Sequence, residues 1–274
     1  MIDFVIRKLI VTADDVGLHP AMTTGALRAH RGGIVTACSV VANGSAIDDA
    51  IARLRDAPTL SIGVHLTLVG ELPLRKPIEI PSLVDTHGRL YTSFTRFVPR
   101  YFAGAIRLPD VERELRAQIE KVLNADLPVR HVNGHQHLHL LPRIFELVVR
   151  LCGEYQIAYV RTVSEETTWS MRGASIAVLS NMGRLDRKHV STVRTNDRTI
   201  GVTDAGHLDA ERLIALLDEV SGVTELVCHP ASWGEGEAAP PYAWNYHWRE
   251  ETEALCDSEV RAALEARRIE LATP

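Results

Sequence analysis

The sequence predicts an α/β fold, a (β/α) barrel forming one domain over residues 1–274, on three observations. Short apolar runs alternate with amphipathic segments of helical length almost from end to end, the pattern of parallel strands joined by crossover helices. A length of 274 residues exceeds one small domain but falls inside the range of a single barrel. Polar residues of catalytic type then stand at or just past successive strand ends: Asp14 and Asp15, Asn43, His65, His135, Arg161 and His229. Barrels collect their working side chains on that rim. The expectation includes an incomplete or distorted barrel.

Each element has a local reason. Residues 9–13 (Leu-Ile-Val-Thr-Ala) read as a strand that gives way to a loop at the two aspartates, because Asp is depleted in strands and favoured in turns. Residues 20–31 read as a helix with Pro20 in its first turn and Gly32-Gly33 at its exit. Residues 34–42 form a β-branched strand, and Ser45 can cap a helix reaching about Asp56. Residues 60–66 make the third strand, and 70–108 an elaborated loop rich in proline and aromatics. A helix over 109–123, a strand over 129–133, a helix over 142–154 and a strand over 158–162 follow. A poorly patterned stretch runs to about residue 200. A helix over 208–220, a strand over 225–228, a helical tail over about 248–268 and a last strand over 269–272 complete the chain.

Bulk composition narrows the function. Hydrophobic residues make up 46% of the chain, ample for a core, and the net charge of −5 argues against nucleic acid or an anionic membrane surface as partner. No apolar run approaches the roughly 18 residues needed to span a bilayer, so no stable membrane insertion is expected. The first twelve residues, carrying Asp3, Arg7 and Lys8, are too short for a secretory signal. Cys38, Cys152, Cys228 and Cys256 lie far apart with no Cys-x-x-Cys, so they read as buried structural thiols in a reducing, cytoplasmic setting.

The strand-end residues suggest a chemistry. Asp15, His65 and His135 supply one carboxylate and two imidazoles, a set suited to a divalent ion such as zinc, manganese, cobalt or nickel. Three protein ligands leave positions open for water and substrate, which marks a catalytic site. Within the run His131, His135, His137, His139, one site cannot use every imidazole; His135 is the expected ligand and His139 the next choice, while His131 and His137 read as structural. Asp14 is then free to act as general base on water activated by that ion, with Arg161 keeping it ionised. His229 suits a general acid that protonates a leaving nitrogen. Together these parts describe metal-assisted hydrolysis of an amide or ester.

Three blocks carry a resemblance: Thr12-Ala13-Asp14-Asp15-Val16-Gly17, Gly63-Val64-His65-Leu66, and His131-Val132-Asn133-Gly134-His135-Gln136-His137-Leu138-His139 with Pro142. They resemble the signature of the YdjC-like carbohydrate deacetylases, which include chitooligosaccharide deacetylases and deacetylases associated with hopanoid biosynthesis. Thr195-Asn196-Asp197 and the run from Gly222 to His229-Pro230-Ala231 look closest to the latter branch. The blocks keep family order from residue 9 to about 268. The resemblance implies a barrel related to the polysaccharide deacetylases and removal of acetyl from an N-acetylated sugar, an N-acetylglucosamine oligosaccharide or glycolipid. By motif position it implies Asp14 as base, Asp15, His65 and His135 as metal ligands, His229 as acid and Arg161 as support for the base. The expected ion is magnesium or zinc, with manganese, cobalt and nickel as further choices, and a homodimer is compatible with the resemblance. Val16 stands where Phe is usual, Thr23-Thr24 where Asn is frequent and Ala231 where Gly is common; none of these removes a catalytic atom. The rival reading is a barrel phosphoesterase or other sugar-ester hydrolase, which would want Lys or Arg at the rim.

Substrate contacts are expected from Asn43, His139, Trp244 and Tyr101. Residues 240–248 concentrate aromatics in a chain that is only 5% aromatic, and 70–108 adds Tyr91, Phe94, Phe97, Tyr101 and Phe102. Aromatic faces stack on sugar rings while Tyr and Trp keep polar handles.

Overall fold

The computed structural model describes residues 7–164 and 193–274, so most of the poorly patterned stretch, 165–192, lies outside the described residues. Eight parallel strands, β1 (Arg7–Val16), β2 (Ala37–Val40), β3 (Ser61–Leu66), β4 (Val129–Gly134), β5 (Tyr159–Val160), β6 (Arg198–Ile200), β7 (Gly222–Cys228) and β8 (Glu270–Ala272), make one sheet. Its order is β5-β4-β3-β2-β1-β7-β6, with β8 beside the first residues of β1. The two edges approach each other. Val160 N–H donates to the Arg194 carbonyl at 3.0 Å and Arg194 N–H to the Ala158 carbonyl at 2.8 Å, so the segment leading into β6 draws the sheet round into a distorted barrel.

The two-residue period of the strands sorts side chains cleanly. Leu9, Val11 and Ala13 of β1, Cys38 and Val40 of β2, and Ile62, Val64 and Leu66 of β3 face outward into the large core under the helices. Ile10, Ala37 and Tyr159 face inward and form a small apolar plug with Val223 and Ala272. Above that plug the interior is polar: Thr12, Asp14, Ser39, His65, His131, Asn133, Arg161 and Glu225 are all buried.

The covering helices are α1 (Pro20–Gly32), α2 (Ile47–Leu54), α3 (Phe94–Phe102), α4 (Leu108–Leu123), α5 (Ile144–Glu154), α6 (Ala210–Leu216), α7 (Trp248–Leu255) and α8 (Ser258–Ala266). Ser45 does not cap α2; its hydroxyl donates to the Leu18 carbonyl, and Ala46 takes the cap position. The helical tail is two helices, because the Asp257 side chain accepts from Glu259 N–H and starts α8 anew. Three of the four cysteines are buried, and Cys256 is partly exposed.

The segment 70–108 is more ordered than a loop. It contains α3, and its approach is gripped by one face of α4. Glu114 accepts from the Leu74 and Arg75 N–H groups at 2.9 and 3.0 Å, and Asp110 from the N–H and hydroxyl of Ser82 at 3.0 and 2.8 Å. Gln118 exchanges two hydrogen bonds with the Thr67 backbone. Asp110, Glu114 and Gln118 recur at the four-residue spacing that aligns side chains along a helix, and all are buried. Among the described residues, no helix is long and apolar enough to cross a membrane.

One close approach joins this frame to the rim. A Cβ on Gly25, in α1, would lie 2.5 Å from Ala231 Cα, and backbone is the neighbour that cannot step aside. Gly25→Ala is expected to cost about 1–3 kcal/mol and to lower activity by displacing His229-Pro230-Ala231. Urea unfolding and turnover measured together check this; unchanged stability would contradict the contact.

Candidate active site

Adjacent strand residues point to opposite faces, yet Asp14 and Asp15 line the same cavity. The strand does not stop at the aspartates as the sequence suggests. It runs to Val16 through a bulge: the pairing of β1 with β2 slips between Ala13 and Val16, and Asp15 adopts a left-handed φ of 64°. A bulge re-aims side chains at the end of a strand, and left-handed backbone at a non-glycine residue is a cost of order 1 kcal/mol met mainly at functional sites. Here the result is two carboxylates delivered to one floor.

Asp15 lies between two imidazoles. Its Oδ1 is 2.9 Å from His135 Nδ1 and 3.3 Å from His65 Nε2, and the three residues bring ligand atoms within 4.8 Å of one another. The His65 ring is oriented from behind. Its Nδ1 donates to Asn133 Oδ1 at 2.7 Å, so the Nε2 lone pair faces the Asp15 carboxylate. In the neutral ring a lone pair and an anion would face each other across 3.3 Å, a gap that a proton or a metal ion fills. Burial opposes charge on His65, but Asp14 and Asp15 outweigh it and raise the imidazole pKa. The donor set, its tautomer and its field fit a divalent ion.

Asp14 stands behind this cluster in a web of donors. Arg161 grips it with two bonds, Nη1 to Oδ2 at 2.5 Å and Nη2 to Oδ1 at 2.9 Å, while Ser39 Oγ and Asn133 Nδ2 donate to Oδ1 at 2.8 and 3.0 Å. Burial alone would raise the carboxyl pKa. The Arg161 guanidinium, with His65, holds it well below the usual range instead. Arg161 is itself wholly buried and carries a second carboxylate on its other side, Nε donating to Glu225 Oε1 at 2.8 Å. Glu225 further accepts from Thr12 Oγ1 at 2.8 Å and the Tyr159 hydroxyl at 2.7 Å.

His229 lines the cavity opposite, its Nε2 4.0 Å from Asp15 Oδ2, and burial lowers its pKa. It is held through its backbone: Glu251 on α7 accepts from His229 N–H, Trp248 O accepts from Ala231 N–H, and Thr252 Oγ1 donates to Ala231 O. Trp244 forms a cavity wall, stacked on Tyr242 at 4.4 Å between ring centroids and 5.7 Å from the His135 ring. The cavity encloses about 350 Å³.

Three expected substrate contacts lie elsewhere. Asn43 donates to the Leu72 carbonyl and ties the rim loop. His139 is buried, its Nε2 bonded to the Arg161 carbonyl, so it is neither a ligand nor a cavity residue. Tyr101 stacks on buried Phe97 in α3, and its helix reaches the cavity through Phe94 instead. Conversely, Ser39, Asn133, Glu225 and Glu251 escaped the sequence reading. Asn133 had a signal, standing near the end of β4 two residues before His135, and Glu225 had another as the lone acid in an apolar strand. His137, read as structural, lines the cavity.

Residues 8–266 match the family model described as YdjC-like protein. A carbohydrate deacetylase from Clostridium beijerinckii is 25% identical over 268 residues, covering 96% of this chain and 97% of that protein. Another from Geobacillus stearothermophilus is 29% identical over 269 residues, covering 97% and 96%. The match to a carbohydrate deacetylase of Brevibacillus brevis is 35% identical but spans 55% of this chain and 57% of that protein. Among solved structures, a protein from Enterococcus faecalis V583 described in terms of cellobiose-phosphate cleavage superimposes with a TM-score of 0.74 at 28% identity, covering 98% of this chain and 97% of its own.

Burial pushes the Glu251 carboxyl up to about 8. A carboxyl raised above its ordinary value of 4.5 holds its proton more tightly in the folded state. Its stabilising contribution is therefore complete below that value and is lost as pH rises toward 8. The stability of the wild type relative to Glu251→Gln is expected to fall by about 1 kcal/mol per pH unit across this window. Urea midpoints taken through the window test it, and a constant difference would contradict a protonated Glu251.

Proposed function

This chain belongs to the YdjC-like family, and from that premise we propose that it is a metal-dependent carbohydrate deacetylase that hydrolyses the acetamide of an N-acetylated sugar. One observation carries the reading: a carboxylate and two imidazoles converge beside a second, separately held carboxylate on the floor of one cavity. Relatives named carbohydrate deacetylase that match over nearly their whole length support it. The single sheet shared by the described residues favours one barrel domain over residues 1–274.

In this reading Asp15, His65 and His135 hold the ion, with magnesium or zinc as first choices and manganese, cobalt or nickel as further ones. When bound, a divalent ion supplies Lewis acidity to a carbonyl oxygen and acidifies water. Asp14 takes the proton of the attacking water. Its Oδ1 already accepts three hydrogen bonds, whereas Oδ2 accepts from Arg161 Nη1, so Oδ2 is the oxygen with capacity left for that proton. Arg161 keeps the carboxylate ionised and fixes its plane. His229, across the cavity, gives a proton from its ring to the departing nitrogen, and the proton taken up by Asp14 restores the balance, so that neutral amide and water leave together as protonated amine and acetate. Trp244 offers an aromatic face to the sugar ring.

A sugar-phosphate reading draws on the description of the Enterococcus protein. Among the described residues that line the cavity none is Lys or Arg, and the one nearby guanidinium, Arg161, is buried and shared between two carboxylates. Such a lining suits an uncharged amide better than a phosphate dianion.

The test is acetate release from free, oligomeric and lipid-linked N-acetylglucosamine compounds, abolished by a chelator and restored by one divalent ion. Asp14→Asn is expected to retain the ion and lose about 10²- to 10⁴-fold in kcat, whereas His65→Ala is expected to lose the ion. Full turnover in Asp14→Asn would rule this carboxylate out as the base.

A further inference from the structure

His137 is the cavity residue that the deacetylation chemistry leaves without work. It follows His135 by two residues on the short helical turn His135–Leu140, and two consecutive left-handed residues, Gln136 (φ 51°) and His137 (φ 56°), kink that turn. Left-handed backbone in two adjacent non-glycine residues costs of order 1 kcal/mol each or more and persists only where surrounding contacts enforce it. One such contact is visible. Gln136 Oε1 accepts from Phe94 N–H at 2.7 Å, which ties the kink to the first residue of α3. Phe94 and Gln136 line the cavity alongside His137.

The kink leaves His137 on the cavity wall, with its ring 6.4 Å from that of His139 between centroids. Nδ1 is buried with no hydrogen-bond partner among the described residues. Its neighbour His139 differs, spending its Nε2 on the Arg161 carbonyl. A buried polar atom left unpaired costs about 1–3 kcal/mol, so one held against a cavity by strained backbone points to a ligand group that completes it.

We propose that His137 is a substrate-binding residue that hydrogen-bonds a hydroxyl of the sugar ring carrying the acetamide. Depending on the tautomer, an imidazole nitrogen that meets the substrate either donates or accepts, and a hydroxyl can answer in both cases. An acetyl oxygen would use the donor alone. His137 thereby selects for a hydroxylated ring rather than for the acyl group, because a site built to bond a hydroxyl rejects analogues that lack it. The inference rests on the deacetylase reading.

The experiment is kcat/KM for acetate release from N-acetylglucosaminides and their monodeoxy analogues, with wild type, His137→Leu and His137→Asn. Leu removes both ring nitrogens, whereas Asn tolerates left-handed backbone and keeps a donor and an acceptor. His137→Leu is expected to lose about 10- to 100-fold on the full sugar, mostly in KM, with bound-metal stoichiometry and melting temperature unchanged. One monodeoxy analogue, poor with wild type, should lose its disadvantage in His137→Leu and recover part of it in His137→Asn. If wild type turns over and His137→Leu stays within twofold, the inference is overturned while the deacetylase reading stands. Should His137→Leu fail to fold, His137→Asn decides alone: discrimination against every deoxy analogue equal to that of wild type overturns the inference. Absence of acetate release from wild type with metal bound overturns the reading and this inference with it.

Discussion

A single buried cation organises the interior. Arg161 has no exposed surface and is bonded to Asp14 on one side and Glu225 on the other. A guanidinium alone in such a place would cost several kcal/mol, and either carboxylate alone would cost about as much; only the complete set is tolerable. The three residues come from β1, the end of β5 and β7, so the condition on charge is also a condition on how these strands meet. β5 has two residues in ladder pairing, and its end is fixed by this charge triad rather than by hydrogen-bonded length. Tyr159, Thr12, Ser39 and Asn133 supply the remaining donors. Replacing the triad with hydrocarbon would suit a packing argument, but it would remove the groups that orient Asp14.

The sheet accordingly runs two different economies across its thickness. Outward residues satisfy the hydrophobic effect under the helices, and Thr12, Asp14, Ser39, Asn133, Arg161 and Glu225 satisfy one another electrostatically above an apolar plug of Ile10, Ala37 and Tyr159. The candidate site lies at the end of that polar column. Asp15 is delivered there by the bulge, His65 and His135 by the ends of β3 and β4, and His229 by the end of β7, clamped through backbone from α7.

Much of this is legible in the chain. The alternation of elements, the strand-end positions of Asp14, Asp15, His65, His135, Arg161 and His229, and the aromatic run through Trp244 all come from periodicity and residue type. What failed depended on backbone geometry. Asp14 and Asp15 look like a strand terminus because a bulge leaves no mark in composition. The run from His131 to His139 suggests alternation, so His139 seems to share the face of His135. The same alternation puts His137 there too; with the kink at Gln136 and His137, His135 and His137 line the cavity while His139 is drawn to the Arg161 carbonyl. Aromatic type points to Tyr101 and a strand-end position to Asn43, while their directions follow from α3 and from the Leu72 carbonyl. Glu225 and Glu251 contribute through partners 64 and 22 residues away, which no local window contains.

The grip of α4 on the segment after β3 has a kinetic meaning. Asp110, Glu114 and Gln118 hold six backbone and side-chain groups between Thr67 and Ser82, and the Gln136 bond to Phe94 fastens the far end of the insertion to the cavity wall. Opening this side would break several buried bonds at once. It behaves as a fixed jamb rather than a hinged door, so whatever enters the cavity passes a flank whose shape is already cut.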